Sequence, residues 1–227
     1  MDVGSFVIDA GGLRWAADLG PENYNKIESR GMDLWGRSQN AQRWTIFRYN
    51  NLSHSTLAVN GQHQRVQGSA PIIRYSDRQV FPHVVFDMSR VYAGQLAQAL
   101  RGAALLPNGQ ILIQDEFRAT DRPAAVRWAM VTPAAVSVED DRNALLKQEG
   151  ETTRLAVLTD AKVQLRTYST VPPADYDAPN LGTRMISFEV TLPAGEAART
   201  AVLLSPPTVQ ARTSVDLQPL LQWSAPQ

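Results

Sequence analysis

The chain has 227 residues, with 22 Lys+Arg balanced by 22 Asp+Glu and no cysteine. Balanced charge provides no net field to gather nucleic acid or anionic lipid, and the lack of cysteine excludes disulfides and thiolate metal sites. A hydrophobic share of 44% allows a sizeable core, yet no apolar run approaches the ~20 residues that span a bilayer.

The N-terminus shows no charged stretch followed by an apolar one, as a leader would, and begins two residues before a strand pattern, as a fragment would. Residues 4–20 form two alternating runs around Gly11-Gly12, a pair suited to a two-residue hairpin turn. In that register Ala10 faces Leu13, Ile8 faces Trp15 and Phe6 faces Ala17 on an apolar side. Asp9 meets Arg14 and Ser5 meets Asp18 on the polar side. Residues 21–40 read as a long loop. Arg43–Tyr49, aromatic and β-branched, reads as a strand. A turn at residues 50–54 follows, and Ser55–Val59 leads into Asn60-Gly61, with a return strand at Gln62–Val66.

Further strands are expected at Ile72–Tyr75, Val80–Met88, from about Gln98, Gln110–Phe117, Val126–Val131, Ala144–Gln148, Arg154–Leu158 and Val163–Tyr168. The Asn108-Gly109 turn pairs Arg101 with Glu116 and Leu105 with Leu112. Residues 171–180 form an irregular connection, followed by strands at Arg184–Leu192 and Thr200–Leu204. The tail, with Leu217, Leu220, Leu221 and Trp223, docks on the body. No segment is a convincing amphipathic helix. Many short strands at roughly 8–15-residue spacing give an all-β fold, a large antiparallel two-sheet β-sandwich of the supersandwich type. Residues 1–170 form the main sandwich, and 171–227 a linker and C-terminal strands that complete or extend it.

His54, His63 and His83 are the only imidazoles. His63 on a polar hairpin face and His83 in an apolar run read as solvated or core residues. His54 lies in an Asn/Ser-rich corner between strands, where a side chain can be aimed, and Asp18 ends a strand on the polar side. If those strands are neighbours, carboxylate and imidazole converge on one ion. Zinc accepts such ligands but takes four in a closed site.

Met1–Phe6, the block Arg14-Trp15-Ala16-Ala17-Asp18-Leu19-Gly20 with Tyr24, and the corner Asn51-Leu52-Ser53-His54-Ser55-Thr56-Leu57 resemble the heparinase II/III family. Arg101-Gly102, Asn108-Gly109, Gln114-Asp115-Glu116 and Trp128–Thr132 are similar too. The resemblance covers roughly residues 1–132 and concerns the β-sandwich that forms the C-terminal half of these polysaccharide lyases. It implies β-elimination on uronic-acid-containing polysaccharide: a base removes the C5 proton, the leaving oxygen at C4 is protonated, and the charge developing on the carboxylate is neutralised.

In the family, a tyrosine and a histidine or asparagine of a preceding helical toroid do most of this. The sandwich adds a catalytic histidine and a structural zinc. The resemblance implies Asp18 and His54 as zinc ligands and Tyr24 as a substrate contact. The further ligand histidine and the sandwich's catalytic histidine belong before Met1, so no catalytic residue is expected in this chain and its zinc site is incomplete. The implied partners are an acidic polysaccharide or oligosaccharide and the toroid, with no nucleic acid and no membrane. A bacterial, periplasmic or secreted setting is implied by the family alone. Neutral charge favours a carboxylate-only uronate chain over a densely sulfated one. The alternative is a carbohydrate-binding or scaffolding sandwich without catalysis, stacking sugars on Tyr24, Trp35 or Trp44.

Overall fold

The computed structural model describes residues 1–211 and 215–224. Its regular secondary structure is mostly antiparallel strand. The first two, β1 (Ile8–Ala10) and β2 (Leu13–Ala16), make a small ribbon. β3 (Leu57–Val59), β8 (Ala124–Thr132), β12 (Arg166–Ser169) and β13 (Arg184–Leu192) form a four-stranded sheet in the order β12-β13-β8-β3.

The second sheet has eight strands. They are β4 (Ile72–Ser76), β5 (His83–Asp87), β6 (Leu96–Leu105), β7 (Ile111–Ala119), β9 (Ala135–Val138), β10 (Asn143–Gln148), β11 (Glu151–Leu158) and β14 (Ala197–Ser205). Their order is β4-β5-β6-β7-β14-β11-β10-β9. The two sheets face each other as the strand count and alternation predict. Trp128, Met130, Ile186 and Phe188 of the small sheet meet Phe117, Leu155, Val157 and Val202 of the large one. Trp128 and Phe188 stack with ring centroids 5.5 Å apart. β13 and β14, both beyond residue 171, are interior strands of their sheets. Residues 212–214 and 225–227 of the expected C-terminal unit lie outside the described residues.

The tail docks as expected. Leu220 and Trp223 are buried on the outer face of the large sheet, against Val85, Leu100, Leu112 and Leu203. Only Leu221 of the four named apolar residues is exposed. Gly102 makes this possible, since a Cβ there would run into Leu220 and the Trp223 ring.

Three local expectations are corrected. In the first hairpin Ile8 pairs with Ala16, not Trp15, and the ladder stops there. Trp15 is the extra residue of a β-bulge. It stays fully buried, its Nε1 donating to the Ala10 carbonyl at 3.0 Å. Ala17 leaves the ribbon to donate to Val131 of β8, so Asp18 does not oppose Ser5. The Asp9–Arg14 pair does form, bidentate at 2.8 Å.

The second correction concerns residues 43–49, which form two 3₁₀ turns, Gln42–Thr45 and Phe47–Tyr49, instead of a strand. Their carbonyls are satisfied by a side chain and not by a neighbouring strand: Asn50 Nδ2 donates to Trp44 and Ile46. The run is apolar because it packs locally, Ile46 being buried with Ile27 and Leu34. Beyond Asn60-Gly61, likewise, the return strand shrinks to one bridge, Val59–Gln62.

Third, Arg101 pairs with Asp115 and Leu105 with Ile111. The turn holds three residues, with Leu106 donating to Gln110 and Gly109 at φ +85° to Leu106, the bulged three-residue hairpin. That shift of one residue moves a carboxylate between faces. Asp115 points into the space between the sheets, and Glu116 points outward to Arg199 at 2.8 Å. Asp115 is fully buried and accepts two bonds from Arg101, itself 2% exposed, at 2.8 and 2.9 Å. Arg101 Nη1 also donates to the carbonyls of Gly4 (2.6 Å) and Ser55 (3.3 Å), and its guanidinium lies over the Phe6 ring. A buried ion pair is tolerable only when its remaining protons find partners, and both protons of Arg101 Nη1 do.

Candidate functional site: the Asp18–His54 corner

The loop layer at one side of the small sheet is built from residues 17–56 and 171–181. Its single α-helix, α1 (Tyr24–Glu28), is capped by Asn23, whose side chain accepts from the Lys26 amide. Leu19 and Phe47 cover the outward residues Ala129, Val131 and Met185.

The corner after residue 50 is wound by its own polar side chains, the reason Asn and Ser recur there. Asn50 Oδ1 accepts from Leu52, Asn51 Nδ2 donates to Leu57 and Gln62, and Asn51 Oδ1 accepts from Gln64. Ser53 Oγ donates to Phe47, while Ser55 Oγ accepts from Val131 at 3.0 Å. This holds His54 with its ring 5% exposed.

The two sequence-predicted ligands meet. His54 Nδ1 lies 3.0 Å from Asp18 Oδ2. Asp18 Oδ1 accepts from the Gly20 amide at 2.7 Å, which fixes the carboxylate, and the side chain is 43% exposed. On the other side of the ring, Nε2 lies 2.8 Å from the Arg48 carbonyl. A carbonyl only accepts, so Nε2 carries a proton. In the neutral ring Nδ1 then presents a lone pair directly to a carboxylate oxygen. Two electron-pair donors so placed call for a proton or a cation between them. Their 3.0 Å separation compares with about 3.3 Å between two neighbouring ligands at ~2.0–2.1 Å on a tetrahedral ion. As it stands the contact is at hydrogen-bond distance, and imidazole and carboxylate are both groups that zinc accepts. Among the described residues no group of three or more His, Cys, Asp and Glu converges to complete a zinc site.

Tyr24 belongs to the same layer. Its ring is 46% exposed and packs edge-on against Trp35 at 5.8 Å and Tyr49 at 6.3 Å. Burial, with Tyr24 beside it, pushes the Tyr49 hydroxyl well above its ordinary range. Trp35 is also well exposed, so the layer offers an aromatic surface to solvent. His83 is a core residue, its Nδ1 2.9 Å from the Phe81 carbonyl; His63 is half-buried beside the N-terminus.

Sequence reasoning missed Arg48, which organises the layer. Its guanidinium donates to Pro21, Pro179 and the Asn180 side chain, with Glu22 at 3.6 Å. Asp177 Oδ1 accepts from Phe47, and Lys26 reaches the carbonyls of Asp175 and Asp177. Burial raises both Glu22 and Asp177 above the ordinary carboxylate range. The proline-rich stretch 171–181 is thus strapped onto α1 and the 3₁₀ turns. The only hint was its Asp and Asn content.

Met1 also enters here, its nitrogen 3.3 Å from the Tyr49 carbonyl, next along from the carbonyl that holds His54. Ser5 donates to Asp2 and Gly4 sits at φ +80°, so the chain folds back before β1.

The sandwich is similar to a heparinase III gene product, with a TM-score of 0.67 and 16% identity over 90% of this chain and 30% of that one. It is similar to a second heparinase III (TM-score 0.68, 13% identity, 92% and 30%). The heparan sulfate lyase HepC of Pedobacter heparinus gives a TM-score of 0.66 at 13% identity over 92% and 31%. At these identities the likeness concerns the fold. A search of curated proteins found no match. The family described as heparinase II/III-like, C-terminal, matches residues 1–208, and the chain belongs to it. It spans about 30% of the length of the heparinase chains it matches.

Proposed function

We propose that this chain is the C-terminal sandwich of a polysaccharide lyase that cleaves uronic-acid-containing polymers by β-elimination, and that it is inactive without a helical toroid N-terminal to it. The membership of the family and the fold likeness to heparinase III support the reading. The observation that carries it to a site is the 3.0 Å Asp18–His54 contact, in the same loop layer as an exposed Tyr24–Trp35 surface and the entry of Met1. In this reading Asp18 and His54 hold a structural zinc with ligands from outside the chain. The metal supplies cross-linking of the corner, and Tyr24 lines the sugar path. The setting in this reading is bacterial and periplasmic or secreted, as the family resemblance implies. Among the described residues no helix is long and apolar enough to cross a membrane.

The test is a turnover assay that follows the absorbance of 4,5-unsaturated uronate. This chain alone is expected to be silent, and a polypeptide extended through the toroid active. Activity in the chain alone overturns the reading. In the extended polypeptide, Asp18→Ala and His54→Ala are each expected to abolish stoichiometric zinc, measured by elemental analysis. Retention of full zinc by both variants removes the metal assignment.

A further inference from the structure

The outer face of the four-stranded sheet carries a cavity of about 270 Å³ that the site above does not use. Alternation puts Trp128, Ile186 and Phe188 inside the sandwich, so Arg127, Ser187 and Glu189 face outward. The register sets Glu189 opposite Arg127 and Arg166 opposite Ser187. Arg166 and Tyr168 of β12 and the preceding Gln164 close the rim.

The polar groups of this cavity are underused. Arg127 is half-buried, and its Nη2 donates to the Leu52 carbonyl at 2.6 Å. Its Nε is buried with no partner, and it forms no ion pair among the described residues. Burial lowers its proton affinity, an effect that the nearby Tyr168 and Glu189 offset only in part. Ser187 is buried, and its hydroxyl also has no partner among the described residues. An unpaired buried donor is costly, and more so when charged. Two at one cavity mark a place that a ligand completes. Arg166 spends Nε and Nη2 on the neutral Gln164 oxygen, at 3.0 and 2.6 Å. A carboxylate is a stronger partner for that fork. Tyr168, 47% exposed, offers a ring face at the rim.

Two arginines against one glutamate suit a ligand with a single negative charge and several hydroxyls. The volume lies at the small end of ligand sites and holds one ring. We propose that this cavity is a saccharide subsite that seats one uronate unit, its carboxylate on Arg127 and Arg166, hydroxyls on Ser187 and Glu189, and a ring face on Tyr168. The choice of uronate rests on the lyase reading; the cavity and its unpaired donors do not.

The test is titration of this chain with an unsulfated uronate-containing tetrasaccharide. The matching neutral tetrasaccharide and inorganic sulfate serve as controls, followed by calorimetry and amide chemical shifts. Residues 127, 166–168 and 187–189 are expected to shift. Arg166→Ala and Tyr168→Ala, at exposed positions of an edge strand, are each expected to weaken binding about tenfold or more with no change in thermal midpoint. Arg166→Lys is expected to recover only part. Undiminished binding in both variants, or no binding by the parent chain, overturns the proposal. Sulfate binding as tightly and in competition reduces the cavity to a simple anion site and overturns it equally. Cleavage by the extended polypeptide without shifts at these residues leaves the lyase reading standing and removes the subsite. Shifts without cleavage do the reverse.

Discussion

The sandwich body and the loop layer are held by different physics. In the body, strands satisfy one another's backbones and alternation sorts residues between core and surface. In the layer, Asn50, Asn51, Ser53, Asp177 and Arg48 satisfy carbonyls and amides that no strand reaches. The body therefore tolerates exchange of one apolar side chain for another of like volume. The layer depends on individual polar atoms at individual places, and that is where Asp18 and His54 are held 3.0 Å apart. Arg101 joins the two, since it lies in the body and grips both Gly4 and Ser55.

The largest effect that probes this contrast is expected at that joint. Asp115→Ala leaves the Arg101 cation buried without its partner and is expected to cost about 3–5 kcal/mol in chemical denaturation. A loss under 1 kcal/mol would show that the joint is not structural. A smaller effect is expected in the layer, where Asn51→Ala removes three bonds and costs about 1–3 kcal/mol. Its distinguishing mark is local: amide exchange accelerates at residues 50–64 and stays unchanged in β10, β11 and β14. Uniform acceleration would mean that body and layer unfold as one.

The smallest effect concerns pH at the first hairpin. The hydrogen bond from Arg14 holds the Asp9 carboxyl below its ordinary value of 3.8. With the folded value below the unfolded one, the contribution is complete above the ordinary value and is lost as pH falls through the folded one. Exchange at residues 9–14 is expected to rise only at such acid pH, and Arg14→Ala is expected to remove that step. A step that persists in the variant assigns it to another carboxylate.

The same contrast explains what was legible in the sequence. Alternation and turn residues gave the body: all but one short strand of the two sheets, the docking tail and the buried Trp15 follow from local patterns. What local patterns cannot fix is an inserted residue. The bulge at Trp15 and the third turn residue before Gln110 each changed partners, and the second exchanged Glu116 for Asp115 as the partner of Arg101. Residues 43–49 misled because aromatic and β-branched content reports burial, which a loop layer supplies as well as a sheet. Asp18 and His54 were placed by family resemblance and the corner's Asn/Ser content. Arg48 and Asp177 were invisible, since their partners lie about 130 positions away. Arg127 and Ser187 show only as unpaired atoms, a property no pattern of letters records.

The Arg101 joint has one more implication. Backbone carbonyls are alike in every residue, so a guanidinium that grips them recognises distance along the chain and not chemical identity. An insertion or deletion between Gly4 and β2, or between His54 and β3, would deliver the wrong oxygen to it even if every functional side chain were retained. Length, more than lettering, is what this neighbourhood must conserve for its histidine and aspartate to stay in touch.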